Sequence, residues 1–186
     1  MSLTLGLLIG AAALAGLVVT LYNRLVRLRN GCESAWSDID VQLKRRHNLI
    51  PNLVETVKGY AQHEQQTLTE VTAARTRAQQ ASGPGDQGGA ESALGQALGR
   101  LFALAEAYPE LRANESFQRL QAELSSLEDA IQNARRYYNA IVRDLNTACD
   151  TFPSNLVAST FGVAKREYFE LDSDAERRVP QVDFGT

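Results

Sequence analysis

With 186 residues, a formal charge of −3 and two cysteines, the chain is long enough for one compact domain besides an anchor and short for two. The mildly acidic balance, 22 carboxylates against 19 lysines and arginines, argues against general nucleic-acid binding. Cys32 and Cys149 make neither a C-x-x-C motif nor a disulfide framework, and read as two free, buried thiols in a reducing compartment.

From Leu3 to Tyr22 no side chain is charged. At about 1.5 Å rise per residue, roughly 20 residues cross a hydrocarbon core about 30 Å thick, where only a helix or a closed barrel satisfies its own backbone. The run is too uniformly apolar for an alternating barrel strand, so residues 1–23 read as a transmembrane anchor. A cleaved signal would want a basic start, which Met1-Ser2-Leu3 does not supply, although Ala13-Leu14-Ala15 offers a cleavage-like pattern. Arg29-Asn30-Gly31-Cys32 places charge where a lipoprotein box needs apolar residues. Arg24, Arg27 and Arg29 follow the span and no Lys or Arg precedes it, so the positive-inside bias expects an outer N-terminus and a cytoplasmic domain. The same arginines suit anionic lipid headgroups, and Tyr22 suits the aromatic belt. Gly6 and Gly10 form a G-x-x-x-G pattern. With Ala11, Ala12, Ala15 and Gly16 it makes a small-residue ridge on which two spans can approach closely.

Beyond the span, apolar or small residues recur at Leu25, Leu28, Cys32, Trp36, Ile39, Leu43, Ile50, Leu53, Val57, Tyr60, Leu68, Val71 and Ala74. The steps are mostly threes and fours, one helical face, so Asn23 to about Gln80 reads as one long helix or two collinear ones. Pro51 removes a donor and crowds the preceding turn, which predicts a kink or short break near residues 47–51. Residues 81–89, rich in Gly with one Pro, read as a loop. A second helix is expected from about Ala90 to Tyr108, before Pro109. The third follows capping groups at Asn114-Glu115-Ser116. It carries Phe117, Leu120, Leu124, Leu127, Ile131, Ala134, Tyr138, Ile141, Leu145 and Ala148 as a heptad-like seam. Phe152-Pro153 closes it, Ser154 and Asn155 can cap a short helix through Phe161, and Gly162 ends that. A last short helix is expected near residues 164–171. The predicted fold is all-α: an N-terminal transmembrane helix, then an antiparallel helical bundle with long amphipathic, coiled-coil-like helices. The boundaries are 1–23 for the anchor, 24–172 for the bundle and 173–186 for a tail.

Arg46 falls near the apolar stripe, between Leu43 and Ile50, and inside a bundle its guanidinium needs a carboxylate or carbonyl partner. Glu128 and Asp129 on the third helix are the candidates, with Arg46 and Glu128 as the buried polar pair that fixes helix register. The surrounding run of Asp38, Asp40, Gln42, Lys44, Arg45, Asn52 and Glu55 reads alternatively as a docking face. Trp36, Tyr137 and Tyr138 read as core aromatics. His47 and His63 lack companions at zinc-ligand spacing, and His63-Glu64 lacks the second His of a metalloprotease helix. Gly83 to Gly89 lacks the Lys-Ser/Thr of a phosphate loop, and no nucleophile elbow or Cys-His pair stands out. No catalytic, cofactor-binding or metal residue is therefore expected, and the chain reads as a non-enzyme.

A longer pattern remains. The string AWSDIDVQLKRRHNLIPNLVETVKGYA at residues 35–61 resembles the LemA family, as do AEAYP at 105–109, RRYYN at 135–139, FPSN at 152–155 and VPQV at 179–182. The resemblance covers nearly the whole chain, the N-terminal span included. It implies a bacterial inner-membrane protein with a tiny outer N-terminus, one span and a helical bundle inside. It implies no established activity and carries over no catalytic residue. One relative belongs to the magnetosome membrane system, which points toward membrane organisation. Asn48 stands where the family often has Asp, which weakens a charge-pair argument there. The expected role is a self-associating scaffold with membrane lipids and further copies of itself as partners, and no nucleic acid. The alternative is an adaptor for a membrane-protein partner such as a protease.

Overall fold

The computed structural model describes residues 2–170, with side chains from residue 4 on. The described residues form six helices and no strand. These are α1 Ser2–Lys58, α2 Gln65–Gln80, α3 Gly83–Ala105, α4 Pro109–Arg112, α5 Glu115–Asp150 and α6 Ser154–Thr160. The fold is all-α. The expected tail, 173–186, and the VPQV string lie outside the described residues. The chain divides into two compact units. The first takes the residues up to Leu43 with Asp129–Tyr168; the second takes Lys44–Glu128 with the described residues from Phe169 on.

In the first unit, α1 starts as an exposed apolar helix, with Leu5, Leu7, Leu8, Ile9 and Leu14 all bare of protein contact over most of their surface. It is long and apolar enough to cross a membrane. Burial begins at Leu25 and continues at Cys32, Ala35, Ile39 and Leu43, the three-and-four steps of one helix face. α5 answers with Ile131, Tyr138, Val142, Leu145 and Ala148. Gly31 lies against Ile141, and the Trp36 ring sits 5.5 Å from that of Tyr138. As α1 advances, its partner on α5 recedes, so the two run antiparallel. Tyr137 faces solvent, 61 % exposed, because it adjoins Tyr138 on the helix and points off the buried face; it is not a core aromatic.

Gly162, at φ +66°, turns the chain out of α6, and Val163 N–H donates to Ala158 O at 2.9 Å, the six-to-one bond of a Schellman ending. Ser154 does not cap the start of α6. Its hydroxyl donates back to Ala148 O and Thr151 O and ties off the end of α5. Residues 163–170 form no helix, contrary to the expectation for 164–171. Their backbone is held instead by side chains of α5. Asn146 both donates to Arg166 O at 3.0 Å and accepts from Arg166 N–H at 2.9 Å, and Tyr138 Oη donates to Glu167 O at 2.9 Å. These bonds take the place of an intrahelical ladder.

In the second unit α1 runs through Pro51 without a break and stops at Lys58, followed by Gly59 and a short turn. α2 then folds back beside α1 instead of continuing it, since Arg75 Nε reaches His47 O at 2.7 Å. The expected collinear pair is thus a hairpin. Only Ala81 and Ser82 separate α2 from α3, so the glycine-rich stretch is the first two turns of a helix and not a loop. Gly83, at φ +82°, makes the turn, and Pro84 occupies the first helical turn, where its missing N–H costs nothing. α3 ends at Ala105, short of Tyr108, and Pro109 opens α4. Asn114 Oδ1 accepts from Phe117 N–H at 3.0 Å and caps α5. Ile50, Leu53, Val57, Leu68, Val71, Leu94, Leu101, Leu111 and Phe117 are the main apolar body of this unit.

Candidate functional site

Along α1 the buried positions include 25, 32, 39, 46 and 53, one per heptad. Four of the five are apolar or thiol side chains. The fifth is Arg46, whose side chain is 7 % exposed. Its Nη2 lies 3.0 Å from Glu128 Oε2 on α5, a carboxylate about a third exposed, and its Nη1 lies 3.4 Å from Glu91 Oε2 on α3. Glu91 has no exposed side-chain surface at all. His47 Nε2 sits 2.7 Å from Glu91 Oε1, and Gln87 Nε2 donates to the same oxygen at 3.0 Å and to Ala78 O at 3.0 Å. An ionised carboxylate only accepts, so His47 Nε2 carries the hydrogen in this pair. Gly95, one turn beyond Glu91, lies beside the guanidinium, and an added Cβ there would stand 3.6 Å from Arg46 Nη2, an ordinary van der Waals contact.

Both Glu91 oxygens are engaged, and the donors come from α1 and α3. The cluster ties α1, α3 and α5 together inside the second unit. Glu91, Gln87 and Arg75 escaped the sequence reading. A signal for Glu91 existed, because it stands three residues before Leu94 and seven before Leu98 on the buried stripe of α3. Nothing comparable marks Gln87, which lies in the glycine-rich stretch whose composition predicts a loop.

The remaining candidate residues lie on α1. Gly6, Gly10 and Gly16 sit on its exposed apolar segment, where an added Cβ would meet nothing within 4 Å. Arg24, Arg27 and Arg29 are exposed, and Arg27 Nε donates to Asn23 O at 3.3 Å. His63 is exposed while His47 belongs to the cluster. Among the described residues no three His, Cys, Asp or Glu side chains come together as metal donors. Cys32 is buried, and burial holds its thiol above the usual range, as it does for the Tyr138 phenol.

Residues 35–184 match the LemA family as a whole. Magnetosome protein MamQ 2 of Paramagnetospirillum magneticum is 29 % identical over 175 residues, covering 80 % of this chain and 64 % of that protein. Magnetosome protein MamQ of Magnetospirillum gryphiswaldense is 28 % identical over 192 residues, covering 88 % and 71 %. Protein LemA of Metamycoplasma hominis is 28 % identical over 159 residues, covering 83 % and 71 %. The chain therefore spans just under two thirds of the length of the Paramagnetospirillum relative.

Proposed function

This chain belongs to the LemA family, and from that premise we propose that it is a membrane-anchored, self-associating helical scaffold that organises or remodels the bacterial inner membrane. The observation that carries the reading is the start of α1: apolar, exposed, free of charge, and continuous with the helix that packs on α5. A bare apolar helix of that length suits lipid, and water would not tolerate so large a patch. The arginines that follow it, Arg24, Arg27 and Arg29, favour an outer N-terminus and a cytoplasmic domain. Open space over Gly6, Gly10 and Gly16 favours close approach of a second span. Relatives named magnetosome proteins support an organising role over a catalytic one. The test is the mass of the full chain in lipid nanodiscs. Self-association gives multiples of the protomer mass that fall when Gly6 and Gly10 become leucine; a strict monomer overturns it.

A second reading, an adaptor for a membrane-protein partner such as a protease, draws on a groove of about 740 Å³, open mouth included, in the second unit. Arg45, Asn48 and Leu49 of α1 and Glu123, Ser126 and Leu127 of α5 line it. Cross-linking from a benzophenone side chain at Asn48 in membranes would trap the partner. Recovery of the protein alone would count against this reading.

A further inference from the structure

Residues 151–164 hold no charged side chain, and Lys165 and Arg166 follow them. In the first unit this stretch forms the corner between α5 and α6, and it turns large apolar groups outward. Phe152 is 75 % exposed, Leu156 57 % and Phe161 53 %, while Ser154, Val157 and Ala158 are the side chains that α6 buries. A short helix in water would place its apolar residues the other way.

The position of the corner explains the exposure. The Phe161 ring packs on the ring of Tyr22, centroids 4.7 Å apart, and Tyr22 closes the apolar run of α1, two residues before Arg24. The exposed Arg24 and Arg27 lie within about two turns of it. The acidic groups Asp150 and Glu33 are paired with Lys165 at 2.7 Å and Arg166 at 2.9 Å, so neither presents a lone negative charge. Aromatic and aliphatic tips, adjoining carboxylates paired with Lys165 and Arg166, and a basic collar beside the end of a span are the composition of a membrane-interface element.

We propose that the corner from Phe152 to Phe161 is a second membrane contact. Phe152, Leu156 and Phe161 enter the boundary between headgroups and acyl chains of the bilayer that holds α1, with Arg24 and Arg27 on anionic headgroups. The proposal rests on the reading of α1 as a span. The first unit is then attached at two points, which fixes its rotation about the span as well as its distance from the lipid.

The experiment uses the full chain in vesicles of phosphatidylcholine and phosphatidylglycerol brominated near the headgroup end of the acyl chain. Tryptophan emission is read, with the native Trp36 as baseline, since it lies roughly 20 Å along the helix from Tyr22. Phe152→Trp and Leu156→Trp each report on the corner, and Val19→Trp reports on the span. The proposal expects fractional quenching of both corner variants at least about twofold above wild type. Wild-type quenching at the corner with strong quenching at position 19 overturns it and leaves the span standing. Absence of quenching at position 19 removes the span and the proposal with it.

Discussion

Proline at position 51 deprives the carbonyl of His47 of the amide four residues on, and Arg75 Nε donates to that carbonyl at 2.7 Å. The guanidinium of α2 therefore takes the place of the missing N–H, and the helix passes through Pro51 without opening. Arg75→Met should cost about 1–3 kcal/mol by leaving a part-buried carbonyl unpaired. In a Pro51→Ala background the loss should shrink, because the alanine amide restores the donor. A double-mutant cycle from urea unfolding of the full chain in detergent measures the coupling, and simple additivity would refute the substitution. The charge cluster invites a similar comparison. Glu91→Leu strands a buried guanidinium beside one remaining carboxylate and should cost about 3–5 kcal/mol, whereas Arg46→Met with His47→Leu and Glu91→Leu together should recover most of that. Recovery that fails in the triple variant would mean the polar groups give more than register. Cys32 is raised in pKa chiefly by burial, with Glu33 adding to the rise and Arg166 opposing it, and Tyr138 likewise by burial first. Both raised groups favour the folded state below their ordinary values of 9.0 and 10.0, and that contribution is lost as pH climbs through the folded values. Melting temperature should therefore fall between about pH 8 and 11, and alkylation of Cys32 at neutral pH should lag far behind that of the urea-unfolded chain. Arg46 was visible in the sequence as a cation on an apolar stripe. Arg75 was not, because its partner is a backbone carbonyl and no side-chain pattern encodes one.

Periodicity located most of the helices. The buried seam of α5 runs on the three-and-four steps read from the sequence, and its start at Asn114 follows from a capping side chain. The failures share a cause: local composition was outweighed by contacts distant in sequence. Glycines at 83, 85, 88 and 89 argue for a loop, yet α3 begins there, because Gln87, Gly88 and Glu91 are buried in the second unit. The backbone of the returning chain passes so close to Gly88 that a Cβ would stand 1.9 Å from Glu170 O. Next to Glu170, Phe169 is fully buried. Gly88→Ala must push this strap away and should cost about 2 kcal/mol or more as Phe169 loses its seat. Gly89→Ala meets nothing within 4 Å and should be neutral or stabilising by roughly 0.5–1 kcal/mol. Thermal unfolding of the two variants, with proteolysis at the strap as a second readout, decides it. Equal behaviour would mean that the strap does not lie on Gly88.

For the whole molecule, family membership and membrane attachment stand on different residues. The family match starts at residue 35, whereas the apolar start of α1 ends at Tyr22. The case for a span thus rests on its own physics: length, lack of charge and a surface the rest of the chain leaves uncovered. That much was legible in the sequence, since a charge-free run needs no tertiary context to be read. What the run supports was less legible, because the boundary between the two units falls inside α1 after Leu43 and inside α5 after Glu128, where the helical periodicity runs on. If residues 1–23 are the anchor, the full chain should stay in the membrane pellet through an alkaline carbonate wash, which strips proteins held by charge alone. A chain beginning at Asn23 should move to the supernatant with its helical circular dichroism retained, because the buried face of α1 starts at Leu25. The apolar corner at Phe152, Leu156 and Phe161 is too small to resist that wash by itself, as single short anchors bind reversibly. Release of the full chain would remove the span from the description. Retention of the shortened chain would shift the anchor to the corner and to the basic collar beside it.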